Sequence, residues 1–215
     1  MNINEETLLK SYSMGVFPMS ENFDDPNIYW INPKKRGIIP LKNFKISKTL
    51  KKEIKKKKFK ITINKNFKKV IYNCAKKTDK RPTTWINKEI IELYSSLHDI
   101  NHAHSIEAWF DNKLVGGLYG VSLGSVFFGE SMFSLMSNAS KICLVYLIAI
   151  LKIKEFSLLD TQFINPYLKS LGAIEIPRDE YLQLLSKSLT KTINFKKKVS
   201  QSSIYETIQS MTQTS

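Results

Sequence analysis

The chain has 215 residues, enough for one domain or two small ones, and 42% are hydrophobic, which excludes a disordered polymer and permits a buried core. Lys and Arg number 33 against 19 Asp and Glu, and the net charge of +14 points to a polyanionic partner, nucleic acid or an anionic membrane. The longest apolar run, Ile142 to Leu151, is half a membrane span, and Asn2, Asn4, Glu5 and Glu6 are too polar for a secretory leader. The two cysteines, Cys74 and Cys143, match no disulfide framework and no metal-ligand spacing. These features predict a cytoplasmic protein with reduced, packed cysteines, no membrane and no metal. Part of the charge follows from a Lys-, Ile- and Asn-rich composition, so its distribution carries more than its sum.

Residues 1–43 read as a small N-terminal subdomain: a helix from Glu5 to Ser13, then a turn-rich stretch with Pro18, Pro26, Pro33 and Pro40. Residues 44–188 read as the main domain. It opens with an amphipathic helix over 44–58, in which Ile46, Leu50 and Ile54 form a narrow apolar stripe. Lys45, Lys48, Lys51, Lys52, Lys55, Lys56, Lys57 and Lys58 surround it, against the single acid Glu53. Phe59 to Ile63 alternates as a half-buried strand, and Phe67 to Lys76 reads as a helix. A further helix, Ile86 to Leu97, places Ile90, Leu93, Tyr94 and Leu97 on one face.

Strands follow at His104–Phe110, Lys113–Val121 and Ser125–Phe128, the first two joined by an Asp111-Asn112 turn. Asn138 and Ser140 offer caps for a buried helix, Ala139 to Ile153. Leu158 to Phe163 reads as a short buried strand, and Asn165 to Leu171 as a helix ending at Gly172. Pro177-Arg178 precedes a helix from Asp179 to Ser188. From 189 to 215 the chain is polar, basic and Ser/Thr/Gln-rich, with Lys196-Lys197-Lys198, and reads as a loosely held tail. No internal repeat is present, and the plan is α+β.

Three groups of residues carry chemistry. Lys45, Lys48, Lys51, Lys52 and Lys55 ring an apolar stripe, so their helix can dock while presenting point charges to a phosphate backbone. Trp30 and Trp85 each stand beside a turn and a polar residue, where an aromatic face can stack on a nucleobase. Glu130, Asp160 and Gln162 are polar residues in apolar surroundings. A buried carboxylate is costly without a partner, so Glu130 can pair with a cationic side chain. Asp160 and Gln162 lie two apart on a strand and share a face, where Asp160 can orient the Gln162 amide toward an incoming amine. A purely structural reading stands equally beside this one: Asp160 caps a backbone turn and Gln162 faces water. His98, His102 and His104 have no tight metal-ligand spacing, and His104-Ser105-Ile106-Glu107 with Trp109 reads as strand pairing and support.

The residues that stand together in these segments resemble one family. Tyr12-Ser13-Met14-Gly15-Val16-Phe17-Pro18-Met19, Trp30-Ile31-Asn32-Pro33 with Arg36 and Pro40, Thr84-Trp85-Ile86 and Leu97-His98 come first. Ala103 to Trp109, Gly116 to Val121, Gly129-Glu130-Ser131-Met132-Phe133-Ser134 and Asn138-Ala139-Ser140-Lys141 follow. Asp160-Thr161-Gln162, Ser170-Leu171-Gly172-Ala173 and Ile176-Pro177-Arg178 complete the series. In this order and spacing they resemble the leucyl/phenylalanyl-tRNA–protein transferase family.

The resemblance implies a main domain with the GNAT fold of acyl-CoA N-acyltransferases and an N-terminal subdomain shortened relative to the family. It implies transfer of Leu or Phe, and by the limited discrimination of an apolar pocket Met, from aminoacyl-tRNA to the α-amine of proteins beginning with Arg or Lys. Such transfer marks the acceptor for N-end-rule degradation. The resemblance assigns Trp30 and Trp85 to the 3′ adenosine, and Leu118, Phe127, Met132, Leu144, Leu147 and Leu159 to the side-chain pocket. Asp160 and Gln162 would assist the amine, Glu130 would recognise the basic first residue, and Asn165 would hold the site's backbone. The family's basic cluster usually has His and Arg where Lys45 and Lys48 stand, and Lys lacks the bidentate fork of Arg. A monomer needing no cofactor is expected.

Two rivals remain at this level, a CoA-dependent N-acyltransferase of the same fold and a non-catalytic RNA-binding protein. Leu135-Met136-Ser137-Asn138 stands where the former would carry a glycine-rich pyrophosphate loop. The latter leaves Glu130, Asp160 and Gln162 unexplained.

Overall fold

The structure, a computed structural model, describes residues 3–42, 44, 46–79 and 81–213. Helix α1 (Glu5–Ser13) is capped by Asn4, whose side chain accepts the Thr7 N–H at 2.9 Å, with Glu5 and Glu6 in its first turn. Strands β1 (Phe17–Met19) and β2 (Tyr29–Ile31) form an antiparallel ribbon in which Pro18 opposes Trp30. Then come β3 (Lys35–Ile39), α2 (Lys48–Lys55), β4 (Lys60–Ile63), α3 (Phe67–Ala75) and α4 (Lys88–Asp99). Ser47, Asn66 and Asn87 cap the three helices. Strands β5 (Ala103–Phe110), β6 (Lys113–Leu123) and β7 (Val126–Ser134) lead to α5 (Ala139–Ile153). Strand β8 (Leu158–Gln162), α6 (Pro166–Ser170), β9 (Ile174–Pro177), α7 (Arg178–Leu189) and α8 (Gln201–Gln213) complete the chain. Asp111 and Asn112, at φ 47° and 58°, turn β5 into β6 with the left-handed pair of residues that suits strand twist.

The plan is α+β. The main sheet has the order β4-β5-β6-β7-β8-β3-β9, antiparallel throughout except for β7 and β8. Helix α5 makes the crossover that a parallel pair requires. Neighbouring strand residues enter opposite cores. Leu118, Phe127 and Leu159 pack toward α5, with α2 and α8 outside it, while Tyr119, Phe128 and Leu158 pack in the core shared by α1, α3, α4 and α7.

Two irregularities shape the sheet's centre. Gly129 opposes Gly120 but Ser131 opposes Tyr119, so Glu130 is an extra, bulged residue on β7. The bulge shifts the alternation: Phe128 lies in one core, yet Met132 packs against the other. Gly120 is required beside it, because a Cβ there would lie 2.2 Å from the Phe128 carbonyl oxygen. On β8, Asp160 opposes Ile38 and Gln162 opposes Gly37, leaving Thr161 as a second extra residue. The parallel pairing of β7 with β8 runs from Val126 and Leu158 to Phe128 and Asp160 and then ends. Beyond that point the two strands part.

Several local expectations change. The basic helix is Lys48–Lys55, shorter than 44–58, because Phe44 and Ile46 are buried by the segment leading into it. Strand β7 runs on from Phe128 to Ser134, so Glu130 sits within a strand. Asn138 adopts φ 66° and makes no side-chain cap; the Ser140 N–H is taken by Ser134 Oγ at 3.2 Å. The stretch 189–213 is not loosely held. Phe195 stacks on His104 at 4.3 Å between centroids, and Ile204, Ile208 and Met211 are buried in the core around α5. Their spacing of four and three is a narrow helical stripe inside otherwise polar sequence.

Ile208→Ala should therefore lower unfolding free energy by about 2 kcal/mol, measured by urea denaturation. A change within about 0.5 kcal/mol would mean that α8 is dispensable to the core.

Candidate active site at the parting of two strands

The parting of β7 and β8 opens a cavity of about 440 Å³, within the size range of small-molecule sites. Leu118, Met132, Leu144, Leu147 and Leu159 line it, brought together by β6, β7, α5 and β8. The bulge at Glu130 is what turns Met132 onto this wall. Phe127 is not among the lining residues. It precedes the bulge, is wholly buried, and packs against Gly120 and Phe195. Tyr119, Glu130 and Gln162 reach the cavity from β6, β7 and β8 as well, and Phe17, Met19, Arg81, Trp85 and Asn165 from elsewhere in the chain.

Glu130 is buried and carries three donors. Tyr12 donates to its Oε1 at 2.7 Å, Gln162 Nε2 to Oε1 at 2.8 Å, and Tyr94 to Oε2 at 3.0 Å. The Tyr12 and Tyr94 oxygens are also in short contact with each other, and because each phenol has one proton, two of these three phenol contacts are hydrogen bonds at any one time. Burial pushes the Glu130 carboxyl up to about 7, against the opposing pull of the Tyr12, Tyr94 and Gln162 hydrogen bonds. Burial first, and Glu130's charge second, raise both phenols, so they remain neutral donors. The group can change charge near neutral pH while facing a cavity, a combination typical of functional carboxylates.

Asp160 belongs to a different cluster. It is wholly buried and does not line the cavity. Arg36 clasps it, with Nε 3.0 Å from Oδ1 and Nη2 2.7 Å from Oδ2, and Tyr181 donates to Oδ2 at 2.6 Å. Arg36 Nη1 also donates to the Gly15 carbonyl, and its guanidinium lies over the rings of Phe17 and Tyr181. Burial alone would lower the Arg36 pKa; Asp160 outweighs it and holds the shift upward. Asp160 Oδ1 accepts the backbone N–H of Gln162 at 2.8 Å, so it caps the turn where Gln162 takes φ 57°. Its carboxylate does not hold the Gln162 side-chain amide, whose partner is Glu130. The expected orientation of that amide by Asp160 is thus corrected: the positive φ at Gln162 sends the side chain to Glu130.

The remaining candidates lie apart. Trp85 lines the cavity, and its carbonyl accepts the Ser20 N–H and hydroxyl, which ties it to the end of β1. Trp30 is 40% exposed on the partner strand β2 and is not a lining residue. Asn165 caps α6 through the Leu168 N–H at 2.8 Å. Lys48, Lys52 and Lys55 are exposed and Lys51 partly so, on a helix that packs against α5; Lys45 lies outside the described residues. His98 donates to the Ala103 carbonyl and stacks on Phe67, and His102 meets the Ser122 carbonyl. His104 bridges Asn64 and Ser122, and burial brings it down to about 3. Among the described residues no three His, Cys, Asp or Glu side chains gather as metal ligands would. No helix there is long and apolar enough to cross a membrane.

The family model for leucyl/phenylalanyl-tRNA protein transferase matches residues 38–186, and that for the N-terminal domain of the same proteins matches residues 1–34. The chain belongs to the leucyl/phenylalanyl-tRNA protein transferase family. It is an aminoacyltransferase; Glu130, Asp160, Gln162 and the cavity's apolar wall fall inside the longer match, and Arg36 stands between the two matches.

Of the transferase's polar centre, Arg36, Tyr12, Tyr94 and Tyr181 carry roles that periodicity did not reveal. Arg36 and Tyr12 stand within the family-like segments, but their partners are 124 and 118 residues away. Tyr94 reads as one more apolar-face residue of a helix until its hydroxyl is seen to reach Glu130.

Removing either partner of the buried pair strands a charge. Asp160→Leu and Arg36→Met should each cost about 3–5 kcal/mol in denaturant titrations, and the double variant clearly less than their sum. Additive losses would show that the two charges are not coupled.

Proposed function

We propose that the transferase moves Leu or Phe, and also Met, from aminoacyl-tRNA to the α-amine of proteins beginning with Arg or Lys, marking them for N-end-rule degradation in the cytoplasm. It does so as a monomer, through a GNAT-like catalytic domain. Support comes from one observation above the rest: a single cavity joins an apolar wall of Leu118, Met132, Leu144, Leu147 and Leu159 to the carboxyl of Glu130. The apolar wall suits an unbranched or γ-branched side chain and cannot strongly reject Met. A carboxylate in low dielectric suits a cation.

The acceptor amine attacks the ester carbonyl carbon. A C–N bond forms, the C–O bond to the terminal ribose breaks, the amine gives up a proton and the released hydroxyl gains one. The ester is already activated, so positioning and stabilisation of the oxyanion are the tasks left to the protein. Gln162 commits its amide N–H to Glu130, which leaves its carbonyl oxygen to accept from the amine. Asp160 acts as a positioning residue, holding the Gln162 backbone through the capped turn. Trp85, with Trp30 on the adjoining ribbon, offers aromatic faces to the terminal adenosine, and Asn165 holds the backbone at the cavity's edge. Lys48, Lys51, Lys52 and Lys55 lie on a helix beside α5 and present charge to tRNA phosphates, with Lys45 a further candidate outside the described residues.

The deciding experiment is transfer of labelled leucine from leucyl-tRNA to a short peptide beginning with Arg, beside the same peptide beginning with Gln. Transfer to the Arg peptide alone is expected, and Glu130→Gln should abolish the preference. Because Glu130 must be ionised to pair with the cation, the peptide KM should fall as pH rises. For one group titrating at about 7 the fall between pH 6 and 7.5 is roughly eightfold, and Glu130→Gln should flatten it. Equal transfer to both peptides would overturn the reading.

Replacing Lys48, Lys52 and Lys55 by Gln removes up to three phosphate contacts. The slope of log tRNA affinity against log salt should shrink by roughly 2–3, at about 0.7–0.9 per contact, with peptide KM unchanged. An unaltered slope would make these lysines a solvated face.

A further inference from the structure

Three of the described residues lining the cavity, Tyr119, Thr161 and Tyr167, carry a buried hydroxyl with no hydrogen-bond partner, and Tyr119 is the one that shares a core with Tyr12 and Tyr94, the phenols at Glu130. The hydroxyl of Tyr119 makes no hydrogen bond, although the residue is wholly buried and lines the same cavity as Glu130. Its ring is fixed, edge-on to Tyr94 at 5.5 Å and to Phe67 at 5.7 Å between centroids. A buried hydroxyl left unsatisfied is a net cost, and a ligand that supplies the missing partner recovers it. The phenol lies in the sheet face shared with Tyr12 and Tyr94, opposite the face holding Leu118 and Leu159. It is therefore on Glu130's side of the cavity and away from the apolar wall.

Glu130 itself has limited capacity left. Tyr12, Gln162 and Tyr94 stand at three of its four lone-pair sites, two at Oε1 and one at Oε2. One site remains, on Oε2. A guanidinium or ammonium brings three or more N–H donors, so a single remaining site on the carboxylate cannot satisfy it. The free lone pairs of the Tyr119 oxygen supply acceptors beside it. The other charged group near this phenol is Arg81, whose Nη2 is engaged by the backbone carbonyls of Cys74 and Lys76.

We infer that Tyr119 is a specificity-determining residue whose hydroxyl accepts a hydrogen bond from the cationic side chain of the acceptor's first residue, beside Glu130. The inference rests on the reading that Glu130 receives that cation. Tyr119→Phe isolates it, because the ring and its edge-on contacts stay and only the oxygen leaves. For an Arg-started peptide the KM should rise about tenfold, the scale of one hydrogen bond to a charged group. The kcat should stay within about twofold, as for an interaction made equally in ground and transition states. The KM for leucyl-tRNA should not change, and the melting temperature should hold or rise, since an orphaned hydroxyl has been removed. An unchanged peptide KM, a rise in the leucyl-tRNA KM instead, or a fall of several degrees in melting temperature would each overturn the assignment. Glu130→Gln run in parallel separates the two claims. If it weakens the peptide and Tyr119→Phe does not, only the role of Tyr119 fails; if neither weakens the peptide, the cation reading itself fails.

Discussion

The clasp between Arg36 and Asp160 is the interaction on which the site depends. Arg36 stands on β3 and Asp160 on β8, so the pair fastens two adjacent strands at the point where β8 leaves β7. The same guanidinium reaches the Gly15 carbonyl at the end of α1 and lies between the rings of Phe17 and Tyr181. Four separate parts of the chain thus converge on one buried charge pair. Burying two ions is costly, and the bidentate geometry, with a further donor taken by the Gly15 carbonyl, offsets that cost. That demand leaves little freedom for the backbone around Asp160, including the turn that sets Gln162.

The consequence is a division of labour between two carboxylates that look alike in sequence. Asp160 is paired with a permanent cation and sealed from the cavity. Glu130 has only neutral donors, faces the cavity, and is pushed by burial to about 7. One charge is fixed and organises the backbone; the other can change near neutral pH and is open to a ligand. Two bulged residues, Glu130 on β7 and Thr161 on β8, make this separation by turning the strands out of register where their pairing ends. Without the bulge on β7, Met132 would face the other core and the apolar wall would lose a member.

Much of this was legible in the chain. The helical stripe of Ile90, Leu93, Tyr94 and Leu97, the Asp111-Asn112 turn and the apolar helix from Ala139 to Ile153 follow from periodicity and turn chemistry, which act over a few residues. The isolated polar residues Glu130, Asp160 and Gln162 stood out against apolar surroundings for the same reason. Less visible was anything set by distant partners. Phe127 and Met132 look equivalent as pocket candidates, and only the bulge between them decides which one lines the cavity. The polar composition after residue 189 concealed a three-residue stripe that α5 buries.

The sequence by itself determined the α+β class, most helices and strands, the family and the three polar residues at the centre, because local propensity, patterning and family-like segments are written along the chain. The tertiary structure alone decided that Asp160 answers to Arg36, that Gln162 turns to Glu130, and that Tyr119 is left without a partner. Each of these rests on a contact between residues brought together by the register of a sheet, and a one-residue bulge in that register changes which face a side chain meets.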